Sequence, residues 1–445
     1  MTEYAERRDR LISAVRGRGS RPLALAKDTS NLFRDRARRR RFHLLDVRAF
    51  HHVLAIDPAA GWLETEGMAT YEDLVAASVA KGVMPAVVPQ LKTITLGGAA
   101  AGIGIEASSF RYGLVHESLL AIDVLTGDGQ VRTCTPYNEH RDLFFGFPNS
   151  YGTLGYALKL RARTIPVKPV VELRHHRFST PPEFFAAMVE ACAAAVDFVD
   201  GVFFGPGELV LSTGRFVPTA PHLSDYGFEK IFYKSLRERA TDYLSTRDFI
   251  WRWDTDWFWC SKNVGAHIPW IRRLYGRKRL GSRTYQKIRR WNSRWGITRA
   301  LDRLRGGHAE PVIQDVDVPL ANAAAFLDFF QREIGIAPVW ICPIGTSPAA
   351  ERFSLYPMRP RQLYANFGFW DVVRRQDARP DGHFNRMIEG EVERLGGIKS
   401  LYSDSYYERE TFWRIYGGDA YRALKSRYDP DGAFPDLYEK CVLRR

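Results

Sequence analysis

Residues 95–113, TLGGAAAGIGIEASSFRYG, hold the densest concentration of potential chemistry in the chain. Gly102, Gly104 and Ala107 fit the spacing GxGxx(G/A), with which a backbone can lie against a dinucleotide pyrophosphate at a helix N-terminus. That use needs a strand directly before the first glycine and a full helix after the last. Here the preceding residues are interrupted by Pro89, and a polar loop ending at Gly113 is expected to follow. Asp123 stands at the distance of a ribose-binding acid, but in one arm of an apparent hairpin. The better reading is a run without Cβ atoms whose backbone approaches a flat cofactor and whose N–H groups meet phosphate oxygens. Two further short polar stretches at strand ends suit it: Lys27, Asp28, Thr29, Ser30 and Asn31, and NSYGTLG at 149–155 with Gly152, Thr153 and Gly155.

Other chemistries lack their residues. Ser150 lies in PNSYG, without the first glycine of a nucleophile elbow. No HExxH or GxxxxGK(S/T) occurs, and the pairs His51-His52 and His175-His176 would point to opposite faces of a strand. No metal site is expected.

Stepping outward, residues 23–35 read as a strand entering a polar turn, and the arginines at 38–41 as a solvated loop. LLDV, HHVLAID and GWLETEG read as short strands, 71–82 as a helix stopped by Gly82, and SLLAIDVLTGDGQVRTC as a hairpin turning at 126–129. HRDLFFGF reads as a short helix and GYALKLRARTI as an alternating strand, after which Pro166 and Pro169 mark a boundary. Beyond it come a helix at 182–197, strands VDGVFFG and ELVLSTGRF, a basic tryptophan-rich segment, VIQDVDVPL, a helix at 321–333, WICPIG and LYANFGFW. A tail from 401 ends in a helix and a turn at 429–432.

With 445 residues, 45% hydrophobic and 26% charged, the composition is that of a globular chain of more than one domain. No apolar run is long enough to span a bilayer, and the charged N-terminus predicts no secretory signal. Five scattered cysteines without CxxC support neither disulfides nor a zinc ribbon. A cytoplasmic location is expected. The net charge of +13 is local: residues 228–305 carry twenty Lys and Arg against seven Asp and Glu, a surplus equal to the whole imbalance.

The blocks PQLKTITLGGAAAGIGIEASSFRYG, LLAIDVLTGDGQVRTCTP and DLFFGFPNSYGTLGYALKLRARTIP resemble the flavin domain of the vanillyl-alcohol-oxidase, or p-cresol-methylhydroxylase (PCMH), family. The similarity is strongest to its Diminuto/seladin group of sterol side-chain reductases, and continues through WICP at 340–343, LYSDSYYERETFWRIY at 401–416 and AFPDLYEK at 433–440. It implies an α+β fold: a two-subdomain PCMH-type FAD-binding domain over 1–168, an α/β cap over 169–400, and a tail, 401–445, returning to the flavin. It implies FAD in an extended pose, held by residues 27–31, by Thr95, Gly97, Gly98, Gly102, Gly104, Ser108, Ser109, Tyr112 and Gly113, and by Gly152, Thr153 and Gly155. Neither AKDTSNLFR nor 95–113 has a His or Cys for a covalent link, so the FAD is expected to be non-covalent.

The resemblance favours reduction of a lipid carbon–carbon double bond, with NADPH as reductant. An isolated alkene accepts hydride only once protonated, which calls for an acid in a dry pocket. The tail offers Asp404 and Tyr407. The basic segment holds seven of the eleven tryptophans (Trp251, Trp253, Trp257, Trp259, Trp270, Trp291, Trp295) among Arg272, Arg273, Arg277, Lys278, Arg279, Arg289 and Arg290. Such a mixture suits an anionic membrane surface, at the inner face of the cell membrane. Stacking on single-stranded nucleic acid is the weaker alternative, because no nucleic-acid motif accompanies it. The expected substrate is a methylene-branched acyl chain of a phospholipid, reduced to a methyl branch of the tuberculostearate type. A sterol side chain, or oxidation of an alcohol, is the alternative.

Overall fold

The computed structural model describes residues 3–29, 32–33, 41–295 and 308–444. Strands β1 (Leu23–Ala26) and β2 (His43–Asp46) pair in parallel and pack with the N-terminal helix Glu3–Arg16. Then follow β3 (Val53–Asp57), β4 (Trp62–Glu66), β5 (Val83–Pro85), β6 (Leu119–Leu125), β7 (Val131–Cys134) and β8 (Tyr156–Pro166). They form one sheet in the order β3-β4-β8-β6-β7, with β5 on the far stretch of β8. The alternation of β8 explains its central place: Leu158, Leu160 and Ala162 are buried, while outward Arg161 reaches Glu64 of β4 at 2.9 Å. β6 and β7 form the expected hairpin, Ile122 opposite Cys134.

The second sheet contains β9 (Val170–Phe178), β10 (Phe198–Gly205), β11 (Glu208–Val217), β12 (Thr241–Ser245), β13 (His308–Pro319), β14 (Val339–Gly345), β15 (Leu363–Arg375) and β16 (Ile398–Lys399). Its order is β12-β9-β11-β10-β14-β15-β13-β16, each neighbour antiparallel. Val339 and Ile341 of β14 and Val312, Val316 and Val318 of β13 share a core with the helices Pro181–Ala193, Ala323–Phe329 and His383–Arg394. Trp340, Cys342 and Ile344, on the other face of β14, join the core of the first sheet. Helices thus cover one face of the cap sheet and the N-terminal domain covers the other, an α+β architecture.

Three features differ from the sequence expectation. The glycine-rich run begins as a short helix, Leu96–Ala101, because Thr95 caps it (Gly98 N to Oγ1, 3.1 Å) and three alanines follow, and the polar loop expected up to Gly113 contains a helical turn at Ser109–Tyr112. β12 was not expected, and β9 only at His175-His176, whose opposite faces the structure shows as one buried and one exposed. Finally, four of the seven clustered tryptophans, 251, 253, 257 and 259, are core residues. Arg272 is buried too, paired with Asp256 at 2.6 Å. Among the described residues, the exposed large apolar side chains of that segment are Trp270, Leu274 and Trp291; the side chain of Trp295 lies outside the described residues.

The tail lies across both units. Leu23 N donates to Ala433 O at 2.7 Å, Phe33 N to Tyr402 O at 2.9 Å, and Lys440 Nζ to Tyr151 O at 2.7 Å. Among the described residues no helix is long and apolar enough to cross a membrane.

Candidate functional site

Between the two sheets lies a cavity of about 370 Å³, within the range of roughly 300–1,000 Å³ usual for ligand sites. One part of its wall comes from the N-terminal domain: Lys27, Thr29, Gly67, Gln90, the run 93–105 and residues 151–158 in part. The opposite part comes from the cap and tail: Trp257, Phe258, Cys260, Asp315, Trp340, Trp370, Tyr402, Pro435 and Lys440.

Of the residues expected to hold a cofactor, Lys27, Thr29, Thr95, Gly97, Gly98, Gly102, Gly104, Gly152 and Gly155 line this cavity, drawn from all three stretches. Asp28 is exposed on the turn and does not line it. Ser30 and Asn31 fall outside the described residues. Thr153 is buried behind the wall, its hydroxyl donating to Ser150 O at 2.8 Å. Two of these glycines also build the wall itself. Gly97 N donates to Gly67 O (3.0 Å) and Gly98 N to Thr95 Oγ1, so these two amides are already paired within the protein. A Cβ on Gly97 would stand 2.5 Å from Gly67 O. Their lack of side chain brings two stretches of wall backbone together.

The block GIEASSFRYG is placed apart from the cavity beyond Ile105. Ser108 Oγ donates to Ala86 O at 2.7 Å, Ser109 Oγ accepts from Glu106 N at 3.1 Å, and Gly113 (φ +71°) turns the chain beside Glu117. Ser108, Ser109, Tyr112 and Gly113 do not line the cavity. Instead the block joins the domains: Val199 N donates to Ala107 O at 2.8 Å, Cys342 Sγ to Glu106 O at 3.1 Å, and Arg111 to Val196 O at 2.6 Å. Arg252 lies between Glu106 (3.2 Å) and Asp200 (2.9 Å), and Asp200 also accepts from Trp340 Nε1 at 3.2 Å. Burial pushes the Glu106 carboxyl up to about 7, Arg252 opposing and Asp200 reinforcing the rise.

The two tail residues expected to act as acids are not on the cavity wall. Asp404 pairs with Arg444 at 3.2 Å, and its carbonyl accepts from Lys399 Nζ at 2.5 Å. Tyr407 is packed against Tyr416, with its phenol pushed far up by burial. Nearby Tyr402 does line the cavity, its hydroxyl accepting from Trp370 Nε1 at 2.8 Å. It interacts with Asp315 of β13. Burial pushes the Asp315 carboxyl up to about 8; Tyr402 opposes the shift and the charge of Asp317 adds to it. Asp315 is half-buried, and its Oδ1 is covered and has no hydrogen-bond partner. Asp317, two residues on and on the same face, accepts from Tyr356 (2.8 Å) and Asn366 (2.7 Å). The sequence signal for Asp315 was there to be read: acids alternating within VIQDVDVPL put charge on one buried face of a strand, which demands a reason.

Around Asp315 the cap end is aromatic. Phe258 lies 4.5 Å from Trp370 and 5.4 Å from Trp340, centroid to centroid, and Trp257 stacks on Tyr285. Trp257 (φ +46°) and Phe258 (φ +58°) are consecutive left-handed residues, as is Tyr151 (φ +50°) on the opposite wall. Bulky side chains in that region cost of order 1–3 kcal/mol each, a strain that clusters at functional sites.

Residues 8–135 match the FAD binding domain family. The chain therefore carries a PCMH-type FAD-binding domain. Over 410 residues it is 28% identical to the Delta(24)-sterol reductase of Homo sapiens, covering 88% of this chain and 77% of that protein. It is 25% identical over 446 residues to the Delta(24)-sterol reductase of Arabidopsis thaliana, covering 92% and 78%. A shorter match, 27% over 148 residues, is to cytokinin dehydrogenase 7 of Oryza sativa subsp. japonica, covering 32% and 28%. This chain is an FAD-binding oxidoreductase related to the Delta(24)-sterol reductases. The cavity fits FAD: Thr29 Oγ1 and Gln90 Oε1 are buried on its wall without a protein partner, and Lys27 and Lys440 bring positive charge to it. Lys27, Thr29, Gln90, Thr95 and Lys440 are the polar groups that would hold the dinucleotide.

Proposed function

We propose that the protein reduces an isolated carbon–carbon double bond in a lipid, with non-covalent FAD and with NADPH as electron donor. The observation that carries this reading is the composition of the cavity: glycine and polar wall on one side, tryptophan, phenylalanine and one carboxyl on the other. When bound, FAD supplies two-electron hydride chemistry. The aromatic end would bury an apolar substrate and exclude water, so that a proton delivered there is not lost to solvent. The relatives, by name, act on an alkene of a sterol. The methylene-branched acyl chain of a phospholipid, the first expectation from the sequence, becomes the second reading, favoured by the basic surface. Both alkenes give a tertiary cation when protonated.

The test is anaerobic. Purified protein should be yellow, bleach with NADPH, and recover its colour on adding vesicles that contain either a Delta(24)-sterol or a methylene-branched phospholipid. The lipid that restores the colour identifies the substrate. Recovery with oxygen alone, and with neither lipid, would make the protein an oxidase.

The same reading places the enzyme at the inner face of a membrane. On the helix Pro269–Tyr275, Trp270 (64% exposed) and Leu274 (72%) share a face, flanked by exposed Arg273, Arg277, Lys278 and Arg279. Aromatic and aliphatic groups among cations suit anionic headgroups, each cation adding about 1 kcal/mol. Replacing both, W270S/L274S, is expected to weaken sedimentation with phosphatidylserine vesicles about tenfold or more, since each lost apolar side chain forfeits up to roughly 1.5–3 kcal/mol of burial. Reduction of detergent-dispersed lipid should be unchanged. Undiminished sedimentation would remove this surface from the membrane contact.

A further inference from the structure

Resting on the reading above, we infer that Asp315 is the acid that protonates the substrate double bond, with Tyr402 and Trp370 as the residues that position it. Three geometric facts carry this. Asp315 lines the cavity at its aromatic end, beside Trp370 and Tyr402. Its Oδ1 is buried there with no hydrogen-bond partner, a condition a protein keeps only at a cost unless the atom has a task. The space is also reserved for it: Gly368 stands opposite Asp315 in the ladder, and a Cβ on it would come 2.7 Å from Oδ1 and 2.5 Å from Trp370.

The neighbouring carboxyls are weaker candidates. Asp404 pairs with Arg444 and lies off the cavity. Asp317 spends its carboxyl on Tyr356 and Asn366. The groups that interact electrostatically with Asp315 are Tyr402 and Asp317; the nearest buried cation on the adjoining edge, Lys399, pairs with Glu389 at 2.8 Å. Among the described residues no cation offsets the burial of Asp315, and desolvation favours its protonated form, consistent with a carboxyl that holds its proton up to about pH 8.

In the proposed step the Asp315 O–H bond breaks and a C–H bond forms at the less substituted alkene carbon, using the π pair. The other carbon becomes a tertiary cation. It is quenched by a hydride whose two electrons come from reduced FAD and, before that, from a reduced nicotinamide dinucleotide. The Asp315 carboxylate then regains a proton from water. Tyr402 fixes the direction of the carboxyl, and its hydroxyl is itself fixed by the Trp370 indole N–H.

The experiment compares wild type, D315N and Y402F. The asparagine variant should take up FAD and bleach with NADPH like wild type, yet recover its colour with the lipid at least 100-fold more slowly, the usual scale of general acid catalysis. A readout free of turnover is the wild-type-minus-D315N infrared difference of flavin-free protein at pH 6, expected to contain the carbonyl stretch of one buried carboxylic acid beyond that of Glu106, which both proteins share. Wild-type recovery should fall as pH rises through about 8, where Asp315 ionises. Because Tyr402 stabilises the ionised form, Y402F should move that fall to higher pH, an effect a merely structural role would not produce. Recovery of D315N at the wild-type rate, absence of that carbonyl band from the difference, or an unmoved pH limb in Y402F would each overturn the assignment. If wild type bleaches but recovers with no alkene at all, the proposed function itself falls, an outcome distinct from an active wild type with an equally active D315N.

Discussion

Arg252→Met is expected to destabilise the protein by about 3–5 kcal/mol, the scale for removing one partner of a buried ion pair. Arg252, Glu106 and Asp200 are 2%, 3% and 5% exposed, so the substitution strands two carboxylates that water cannot reach. The methionine fills much of the volume, and the loss is then electrostatic. The deficit should also depend on pH. Glu106 already has a folded value raised to about 7, so the folded state binds its proton more tightly than the unfolded chain, and stability falls as pH climbs from the ordinary glutamate range to about 7. Arg252 is the group that limits this rise, and without it the fall continues to higher pH. Urea titrations should thus show a larger gap between variant and wild type at pH 8 than at pH 5.5. A gap that is constant with pH would mean that Glu106 and Asp200 find other partners. Since Asp200 also holds the Trp340 indole at 3.2 Å, the variant should disturb the aromatic end of the cavity as well.

This triad illustrates what the sequence could and could not reveal. GIEASSFRYG identifies the family, and its glycines drew attention to cofactor contact, yet the structure uses Glu106 to Gly113 as the joint between domains. Nothing local distinguishes a serine that donates to Ala86 O from one that would meet a phosphate; the difference lies in residues 22 positions away. Strands with clean alternation, such as β8 and the β6-β7 hairpin, were legible because period-two burial is written into them. β9 was legible only in part, because a histidine, His175, occupies one of its inward positions and interrupts the apolar period. The tryptophans near 255 were ambiguous for the opposite reason. Aromatic rings beside arginines suit a membrane surface and a core equally well, and only long-range packing, Phe258 against Trp340 and Trp370, decides for the core. In the tail, Tyr402 and not Asp404 faces the cavity, a matter of side-chain direction that spacing alone does not fix.

Gly97→Val should give protein that folds poorly or stays colourless, and Gly97→Ala protein that loses FAD on dilution, its affinity lowered by about two orders of magnitude, or roughly 2.7 kcal/mol. The reason is a stack of three backbones. Gly67 N donates to Leu158 O of β8 at 2.8 Å, Gly97 N donates to Gly67 O at 3.0 Å, and Leu96 N to Ala69 O at 3.1 Å. A methyl at position 97 would meet Gly67 O at 2.5 Å and Gly67 Cα at 3.0 Å, and one at 67 would meet the Ala157 carbonyl. These are main-chain atoms held by the sheet, so they cannot yield as a side-chain tip would; the helix Leu96–Ala101 has to move instead. That helix carries Gly98 and Ala99 on the cavity wall and leads into Gly102, so its displacement distorts the wall that FAD must contact. The control is Gly390→Ala in the helix His383–Arg394, where an added Cβ meets nothing within 4 Å. It should retain FAD and gain roughly 0.5–1 kcal/mol from reduced chain entropy. Flavin absorbance after gel filtration, with circular dichroism to confirm folding, separates the cases: a folded, fully yellow Gly97→Val would show that the closeness of the two backbones does not shape the flavin site.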